Sequence, residues 1–220
     1  MPAACRALVL ISGSGSNLQA LIDVFSRDDA PLQICAVLSN KADAFGLTRA
    51  RNAGIDTLVL DHKAYSSREA FDLAMIEAMD AYRPDLVILA GFMRILTPAF
   101  VEHYQGRLLN IHPSLLPRHK GLHTHQRALE EGDHEHGCSV HFVTAELDGG
   151  PLVARAAITI NSDDNAETLA ARVHEQEHLL YPLVARWFAE GRLCLTPDGL
   201  TLDGQALPAT GKTLRNGDMH

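Results

Sequence analysis

The chain has 220 residues, of which 46% are hydrophobic, and it carries a formal net charge of -8. Its length and apolar content suit one sizeable core, so we predict a single domain over residues 1–207 and a flexible tail over residues 208–220. The acidic balance argues against a nucleic-acid partner, and no apolar run of about 18 residues is present that could span a membrane. The four cysteines are scattered, which argues against a disulfide framework. Together these features predict a cytoplasmic protein.

A glycine-rich turn joins the first predicted strand to the first predicted helix. Residues 7–11 are a continuous apolar run typical of a strand buried on both faces, and apolar residues recur at helical spacing from Leu18 to Phe25. A turn of this kind can hold a phosphate with its backbone N–H groups. It is not a dinucleotide fingerprint, because Leu18 stands where the third glycine would be, and it lacks the Gly-Lys ending of an NTPase loop. We therefore expect either a plain tight turn or a site for one sugar phosphate, with these candidate donors: Gly15, Ser16 and Asn17.

Strands and helices alternate through the next hundred residues. The patterns predict strands at residues 33–38, 56–60, 86–90 and 108–112, a helix at residues 45–53, and another that starts from a capping box formed by Ser66 and Glu69. This alternation indicates an α/β fold, in which a mostly parallel twisted sheet has helices on both faces. Ligands of such sheets gather at the carboxyl ends of the strands.

Asn110 and His112 lie at one of those strand ends. Residues two apart on a strand point to the same face, so we expect the amide and the imidazole side by side. Taken alone, the pair could be a turn asparagine and a hydrogen-bonded core histidine. The glycine-rich turn and the loop at residues 91–96 also follow strands, however, and this coincidence favours an active site.

Histidines are concentrated in the middle of the chain. Eight of the twelve lie within residues 103–141, with His-x-His pairs at residues 123–125 and 134–136. Two histidines at this spacing need a third ligand to form a metal site, and the residues around the second pair are very polar. We therefore expect a solvated, charged loop here and no metal site.

Two carboxylates in the second half of the chain are candidates for function. Asp148 follows a predicted strand at residues 138–143 and precedes two glycines, so it is either a turn residue or the partner of a histidine. Glu177 interrupts the apolar stripe of a long helix predicted over residues 165–191. We expect its carboxylate to reach water at the helix edge or to accept hydrogen bonds from a ligand. Turn signals predict a small hairpin over residues 193–207.

Four segments carry a resemblance to a known family: residues 11–19, 89–96, 110–117 and 147–150. On these segments the chain closely resembles, over about residues 8–207, the phosphoribosylglycinamide formyltransferases, a branch of the folate-dependent formyltransferase family with a Rossmann-like fold. The stretch Asn-Ile-His-Pro-Ser-Leu-Leu-Pro marks only the wider family, and the glycine-rich turn with the overall length selects the branch. The chain departs from many bacterial members at His119 and Lys120, where they have Tyr-Pro.

The resemblance implies that a formyl group passes from the co-substrate 10-formyltetrahydrofolate to the amino group of glycinamide ribonucleotide in purine biosynthesis, without a metal. It implies catalytic roles for Asn110, His112 and Asp148. It implies nucleotide binding by Gly15, Ser16, Asn17, His174, Glu175, Gln176 and Glu177. It implies folate binding by Arg68, Met93, Arg94, Ile95, Leu96, Asn110, Thr144, Ala145, Glu146, Leu147 and Asp148. The implied protein is a monomer or homodimer that acts on small molecules, with no nucleic-acid or membrane partner.

Other functions are compatible with parts of the pattern. A formyltetrahydrofolate deformylase would use water in place of the amine, but deformylases of this group carry an additional N-terminal module, and this chain begins its first predicted strand at Ala7. A methionyl-tRNA formyltransferase would need a C-terminal tRNA-binding domain, for which few residues follow Gly191. A catalytically silent nucleotide-binding module would keep the fold and lose the chemistry, and the presence of all three implied catalytic residues argues against it.

Overall fold

The computed structural model describes residues 3–215 and 217–219. Contacts between Cα atoms divide the chain into two compact units, Met1–Asn110 and Ile111–His220. Within the described residues, every helix is too short or too polar to cross a bilayer. The single domain expected over residues 1–207 stays a prediction.

The first unit alternates strands with helices, as the apolar patterns predict. Its elements are β1 (Cys5–Ile11), α1 (Ser16–Phe25), β2 (Leu32–Ser39), α2 (Phe45–Asn52), β3 (Thr57–Val59), a 3-10 turn (His62–Ala64), α3 (Arg68–Asp80), β4 (Leu86–Leu89), α4 (Pro98–His103) and β5 (Leu108–His112). The boundary between the two units falls inside β5.

The strands of the first unit lie in the order β3-β2-β1-β4-β5, and every pairing among them is parallel. Strand β1 is in the middle, where Leu10 pairs with Leu38 on one side and with Leu89 on the other. Residues 7–11 are fully buried, because a central parallel strand has covered faces on both sides. The mostly parallel sheet with its helices confirms the predicted α/β class.

The start of α3 differs by one residue from the prediction. Ser67, and not Ser66, is the N-cap, and its Oγ accepts a hydrogen bond from the Ala70 amide at 3.0 Å. The φ of Ser67 is -150°, the extended conformation that an N-cap residue needs. Glu69 three residues on favoured Ser66 in the sequence, but either serine can cap a helix, and the backbone conformation selects Ser67.

The second unit contains α5 (Thr124–Glu130), β6 (Glu135–Phe142), β7 (Leu152–Thr159), α6 (Ala166–Ala189), β8 (Leu193–Thr196), β9 (Gly199–Leu202), β10 (Gln205–Ala206) and β11 (Lys212–Leu214). Strand β6 pairs antiparallel with β7, and α6 packs against both. Strands β8, β9 and β10 form a separate antiparallel sheet, which confirms the predicted hairpin and extends it by one short strand.

Helix α6 follows its predicted pattern closely. Asn165 and Thr168 form a reciprocal capping box at its start, and Pro182 lies inside the helix. The predicted apolar stripe is buried, including Leu169 and Leu180. The apolar face of the helix therefore covers the β6–β7 side of the second unit.

Two segments of the second unit are more ordered than their composition indicates. Strand β6 begins at Glu135 and not at residue 138, so the polar segment around His136 belongs to the sheet. The tail expected to be flexible contains β11, which pairs in parallel with β7 through Lys212 and Ala154. Sheet hydrogen bonds order these residues, and polar composition alone does not reveal such pairing.

Candidate active site

The glycine-rich turn at the end of β1 is closely packed against the start of α2. Gly15 has a φ of +73°, and a Cβ added there would lie 2.6 Å from the Cα of Gly46. The Gly46 amide donates to the Gly13 carbonyl at 3.0 Å. Gly15 is also the N-cap of α1 and has no side chain to cap the first turn. The amides that begin a helix lack acceptors inside it, so an anion can accept their hydrogen bonds.

The loop after β4 is anchored to the end of β1. Ser12 Oγ accepts a hydrogen bond from the Met93 amide at 2.8 Å and donates to Asn40 Oδ1 at 2.6 Å. The side chains of Met93 and Ile95 are nonetheless 68% and 62% exposed. A fixed backbone thus presents apolar side chains to solvent, which suits the face of a flat aromatic ligand.

Two further contacts, made by Asp72 and Arg94, stabilise the residues around this loop. The sequence motifs predicted neither of them, nor the contacts of Ser12. Asp72 is buried on α3 and accepts a hydrogen bond from the Thr97 amide at 2.7 Å, where α4 begins. The Arg94 guanidinium lies 5.7 Å from the centroid of the Phe71 ring. A carboxylate at a buried helix position was the signal available for Asp72. Arg68 is the exposed first residue of α3.

His112 is buried at the end of β5, and Asn110 is half-buried two residues before it. The Nε2 of His112 donates a hydrogen bond to the backbone carbonyl oxygen of His119 at 2.8 Å. Its Nδ1 lies 3.5 Å from Oδ2 of Asp148, and both side chains are 8% exposed. The structure therefore pairs the imidazole with the carboxylate that the sequence analysis singled out, in a place with little water to screen their charges.

The backbone of Asp148 adopts the left-handed conformation, with a φ of 49°. Few residues other than glycine adopt it, although aspartate and asparagine do so more readily than most. Oδ2 of Asp148 accepts a hydrogen bond from the Gly121 amide at 2.9 Å. This hydrogen bond gives the carboxylate a defined position beside His112.

His141 is a third member of this cluster, and the sequence analysis missed it. Its Nδ1 donates to the Phe142 carbonyl at 2.9 Å, and its Nε2 lies 3.9 Å from Oδ1 of Asp148. Burial lowers the pKa of His141, while the Phe142 carbonyl and the Asp148 carboxylate act in the opposite direction. An alternating strand pattern places His141 on a face but does not reveal what lies opposite, so only the fold exposes this contact.

The loop at residues 144–147 is exposed, including the apolar side chain of Leu147. Lys120 Nζ donates to Glu146 Oε1 at 2.8 Å. A cavity of about 670 Å³ within the second unit is lined in part by Lys120 and Asp148. There is therefore open space on one side of Asp148, although neither Asn110 nor His112 lines it.

The predicted nucleotide-binding residues on α6 divide by burial. His174 and Glu175 are exposed, whereas Gln176 and Glu177 are buried. Among the described residues, Oε1 of Gln176 is one of the few buried side-chain oxygens without a hydrogen bond. Burial of the Glu177 carboxylate excludes the simple alternative of a solvated helix edge, and favours a carboxylate that accepts hydrogen bonds.

The histidine-rich segment is less solvated than expected. His119 and His136 are both buried, because His136 lies on β6 and His119 packs beside it with 6.1 Å between ring centroids. His136 shares a hydrogen bond with Nδ1 of His125 at 3.0 Å. Burial lowers the pKa of His136 to about 4, and the neighbouring His125 and His119 add to the shift. The prediction of a solvated loop was wrong for these positions, because sequence polarity does not reveal burial in a sheet.

Known proteins resemble this chain over nearly its whole length. Residues 5–185 match the family described as Formyl transferase. The phosphoribosylglycinamide formyltransferase of Escherichia coli (strain K12) is 59% identical over 204 residues, which are 93% of this chain and 96% of that protein. The trifunctional purine biosynthetic protein adenosine-3 of Drosophila melanogaster is 46% identical over 196 residues, which are 88% of this chain and 14% of that protein.

A solved structure agrees with these sequence relatives. The phosphoribosylglycinamide formyltransferase from Coxiella burnetii superposes with a TM-score of 0.92 and 48% sequence identity, and the match covers 96% of this chain and 100% of that one. Both the sequence and the fold are therefore shared along the chain. The chain belongs to the formyl transferase family.

Proposed function

We propose that this enzyme transfers the formyl group of 10-formyltetrahydrofolate to the amino group of glycinamide ribonucleotide, a step of purine biosynthesis. The observation that carries the proposal is the buried pair of His112 and Asp148, 3.5 Å apart, at the end of the strand that also holds Asn110. The names of the relatives support the choice of substrate, and formyl transfer in this family supports a folate as donor.

The reaction is a direct transfer between two nitrogen atoms. The amine of glycinamide ribonucleotide attacks the formyl carbon, a new C–N bond forms, and the carbonyl oxygen becomes an oxyanion. The bond from that carbon to the folate nitrogen then breaks, and the proton lost by the amine goes to the folate nitrogen. The balance needs no redox partner, covalent enzyme intermediate or metal.

Asn110 and His112 stabilise the oxyanion. The amide of Asn110 donates hydrogen bonds to the developing negative charge, and a protonated His112 adds a charge-assisted contact. Loss of one such donor typically raises the barrier by about 2.7–4 kcal/mol. Both side chains need a fixed orientation, and their place on one strand provides it.

Asp148 supports the positive charge on His112 and relays the proton. Its carboxylate faces Nδ1 of the imidazole, so the protonated form of the ring gains an attractive interaction. Through a water molecule the same carboxylate takes the proton of the attacking amine and passes it towards the folate nitrogen. The hydrogen bond from the Gly121 amide keeps the carboxylate in place for both roles.

The nucleotide is bound by two sets of residues. In the first unit, Gly15, Ser16 and Asn17 donate hydrogen bonds to the phosphate at the start of α1. In the second unit, residues 174–177 bind the sugar, with the buried carboxylate of Glu177 accepting from the ribose hydroxyls.

Several of the residues assigned to folate binding are exposed in the structure. Arg68 is available for the acidic part of the co-substrate, and Met93 to Leu96 offer apolar surface to its rings. In the second unit, residues 144–148 offer backbone groups and the side chain of Leu147 to the pterin. We place the reaction in the cytoplasm, because the four cysteines are free thiols, the form that a reducing compartment maintains.

Release of the folate product tests this function. The protein is mixed with 10-formyltetrahydrofolate, with and without glycinamide ribonucleotide, and free tetrahydrofolate is followed with time. Release that requires the nucleotide supports the transferase. Equal release in both mixtures would identify a hydrolase, in which water replaces the amine, and no release in either would leave only a silent binding module.

A further inference from the structure

His119 takes part in an ionic cluster that lies next to the catalytic histidine. Its Nε2 donates to Oδ2 of Asp133 at 2.7 Å, and the other oxygen of Asp133 lies 2.5 Å from Nη2 of Arg118. The side chains of His119 and Asp133 are 2% and 5% exposed. We call these three residues, Arg118, His119 and Asp133, the His119 clasp.

The clasp has the composition of a possible metal site, but it already contains a cation. Ligand atoms of His119, Glu131 and Asp133 lie within 4.8 Å of one another. The guanidinium of Arg118, however, contacts Asp133 and also lies 3.3 Å from Oε2 of Glu131. A permanent positive charge on these carboxylates satisfies them and repels a second cation. The arrangement therefore serves to hold the His119 ring in place.

The ring of His119, held by Asp133, fixes the backbone carbonyl of His119 itself. That carbonyl accepts the Nε2–H of His112 at 2.8 Å in a buried position. A carbonyl can only accept, so Nε2 of His112 must carry a hydrogen. The other nitrogen, Nδ1, then faces Asp148 and is the one left for the chemistry. The position of the His119 backbone thus decides which nitrogen of His112 takes part in the reaction.

The loop between β5 and α5, residues 113–123, is also anchored by contacts that do not involve the side chains of the His119 clasp. Ser139 Oγ donates to the Ser114 carbonyl at 2.6 Å and accepts from the Leu116 amide at 3.0 Å. Arg155 donates to the Leu116 carbonyl at 3.1 Å, and Thr124 Oγ1 donates to a carbonyl at residue 113. The carbonyls on either side of His119 are held as well, that of Arg118 by Ser114 Oγ and that of Lys120 by Arg127 Nη1, both at 2.7 Å. Removing the His119 ring contact should therefore loosen residue 119 without unfolding the loop.

We propose that His119 is a positioning residue, whose ring contact with Asp133 fixes the carbonyl that holds Nε2 of His112 and leaves Nδ1 for the chemistry. The proposal rests on the proposed formyl transfer for its kinetic consequence, but not for its structural one.

A matched pair of variants separates the hydrogen bond from the volume of the side chain. In His119→Gln the amide nitrogen occupies a place similar to Nε2 and can still donate to Asp133, whereas His119→Met has a similar length and no donor. We expect His119→Met to lower kcat about 10- to 100-fold, as misplacement of a catalytic group does. The KM for glycinamide ribonucleotide should change less than kcat, and His119→Gln should recover most of the lost kcat. The control is His134→Met, the same change at an exposed histidine.

The tautomer of His112 provides a readout that needs no substrate. Nitrogen-15 shifts of the ring, assigned by their loss in His112→Asn, distinguish a nitrogen that carries hydrogen from one that does not. At alkaline pH, where imidazoles are neutral, we expect hydrogen on Nε2 in the wild type and in His119→Gln. We expect a mixture of tautomers in His119→Met, whose fold is checked by its thermal unfolding.

Three results would overturn the proposal for His119. A single Nε2–H tautomer in His119→Met, or equal kcat values for the Met and Gln variants, would overturn the proposal. So would stabilisation of the wild type by zinc ions that is absent in His119→Met, since this would make the cluster a metal site. If the tautomers behave as expected but the wild type transfers no formyl group, the clasp stands and the proposed function fails.

Discussion

Replacing Asp148 with asparagine removes one negative charge while changing little else. The left-handed φ of 49° at this position is one that asparagine adopts as readily as aspartate. The side-chain oxygen of the introduced asparagine can still accept the hydrogen bond that the Gly121 amide donates at 2.9 Å. The backbone and the packing of the loop should therefore survive, so that the kinetic effect reports the charge.

The size of the effect follows from the distance to His112. Oδ2 of Asp148 lies 3.5 Å from Nδ1 of the imidazole, and both side chains are nearly buried. Two unit charges at this separation attract by about 5 kcal/mol at an effective dielectric constant of about 20. Each 1.4 kcal/mol corresponds to about a factor of ten in rate. We therefore expect Asp148→Asn to lower kcat by about three orders of magnitude, with much less effect on nucleotide binding.

The assay is steady-state formyl transfer, with kcat and the KM for each substrate determined separately. Asp163→Asn makes the same chemical change at an exposed turn and is the control. It should match the wild type. If Asp148→Asn kept kcat within a few-fold of the wild type, the carboxylate would have no part in supporting the charge of His112, and the proton relay assigned to it would fall as well.

Other predictions address binding, loop anchoring and stability. Glu177→Ala should raise the KM for glycinamide ribonucleotide about tenfold or more, with a smaller change in kcat. The reason is that a hydrogen bond to a charged group contributes about 1.5–3 kcal/mol. A loss confined to folate binding would refute the assignment. Ser12→Ala should raise the folate KM by freeing the Met93 amide, and the exposed Ser26→Ala should not. The free energy of unfolding should decrease as pH falls from about 6.5 towards 4, because the unfolded chain binds a proton that His136 does not bind until its pKa of about 4; His136→Gln should flatten this slope in denaturant titrations.

The parts of the fold that sequence could predict are those governed by local patterns. The apolar run at residues 7–11 indicated a central strand, and the alternation of strands and helices indicated a parallel sheet. The apolar stripe of α6 placed that helix within two residues of its ends. Glycine-rich turns and strand ends likewise pointed to Gly15 and to the pair Asn110 and His112. In each case the information lies within a few neighbouring residues.

The parts that sequence could not predict depend on contacts between distant residues. His136 looked solvated among charged neighbours, yet it is buried on β6. His141 is 7 residues from Asp148 in sequence, but only the fold puts its Nε2 3.9 Å from that carboxylate. The order of β11 comes from its pairing with β7, and the role inferred for His119 comes from Asp133. Periodicity reports which face a side chain occupies, and not what it meets there.

Transfer of a labelled formyl group tests the central claim most directly. With carbon-13 in the formyl group of 10-formyltetrahydrofolate, a single turnover in the presence of glycinamide ribonucleotide should place the label on the nucleotide amine, one label for each tetrahydrofolate released. In Asp148→Asn the same product should form, but about a thousandfold more slowly. Label recovered as free formate, at a rate that does not depend on the nucleotide, would contradict direct transfer.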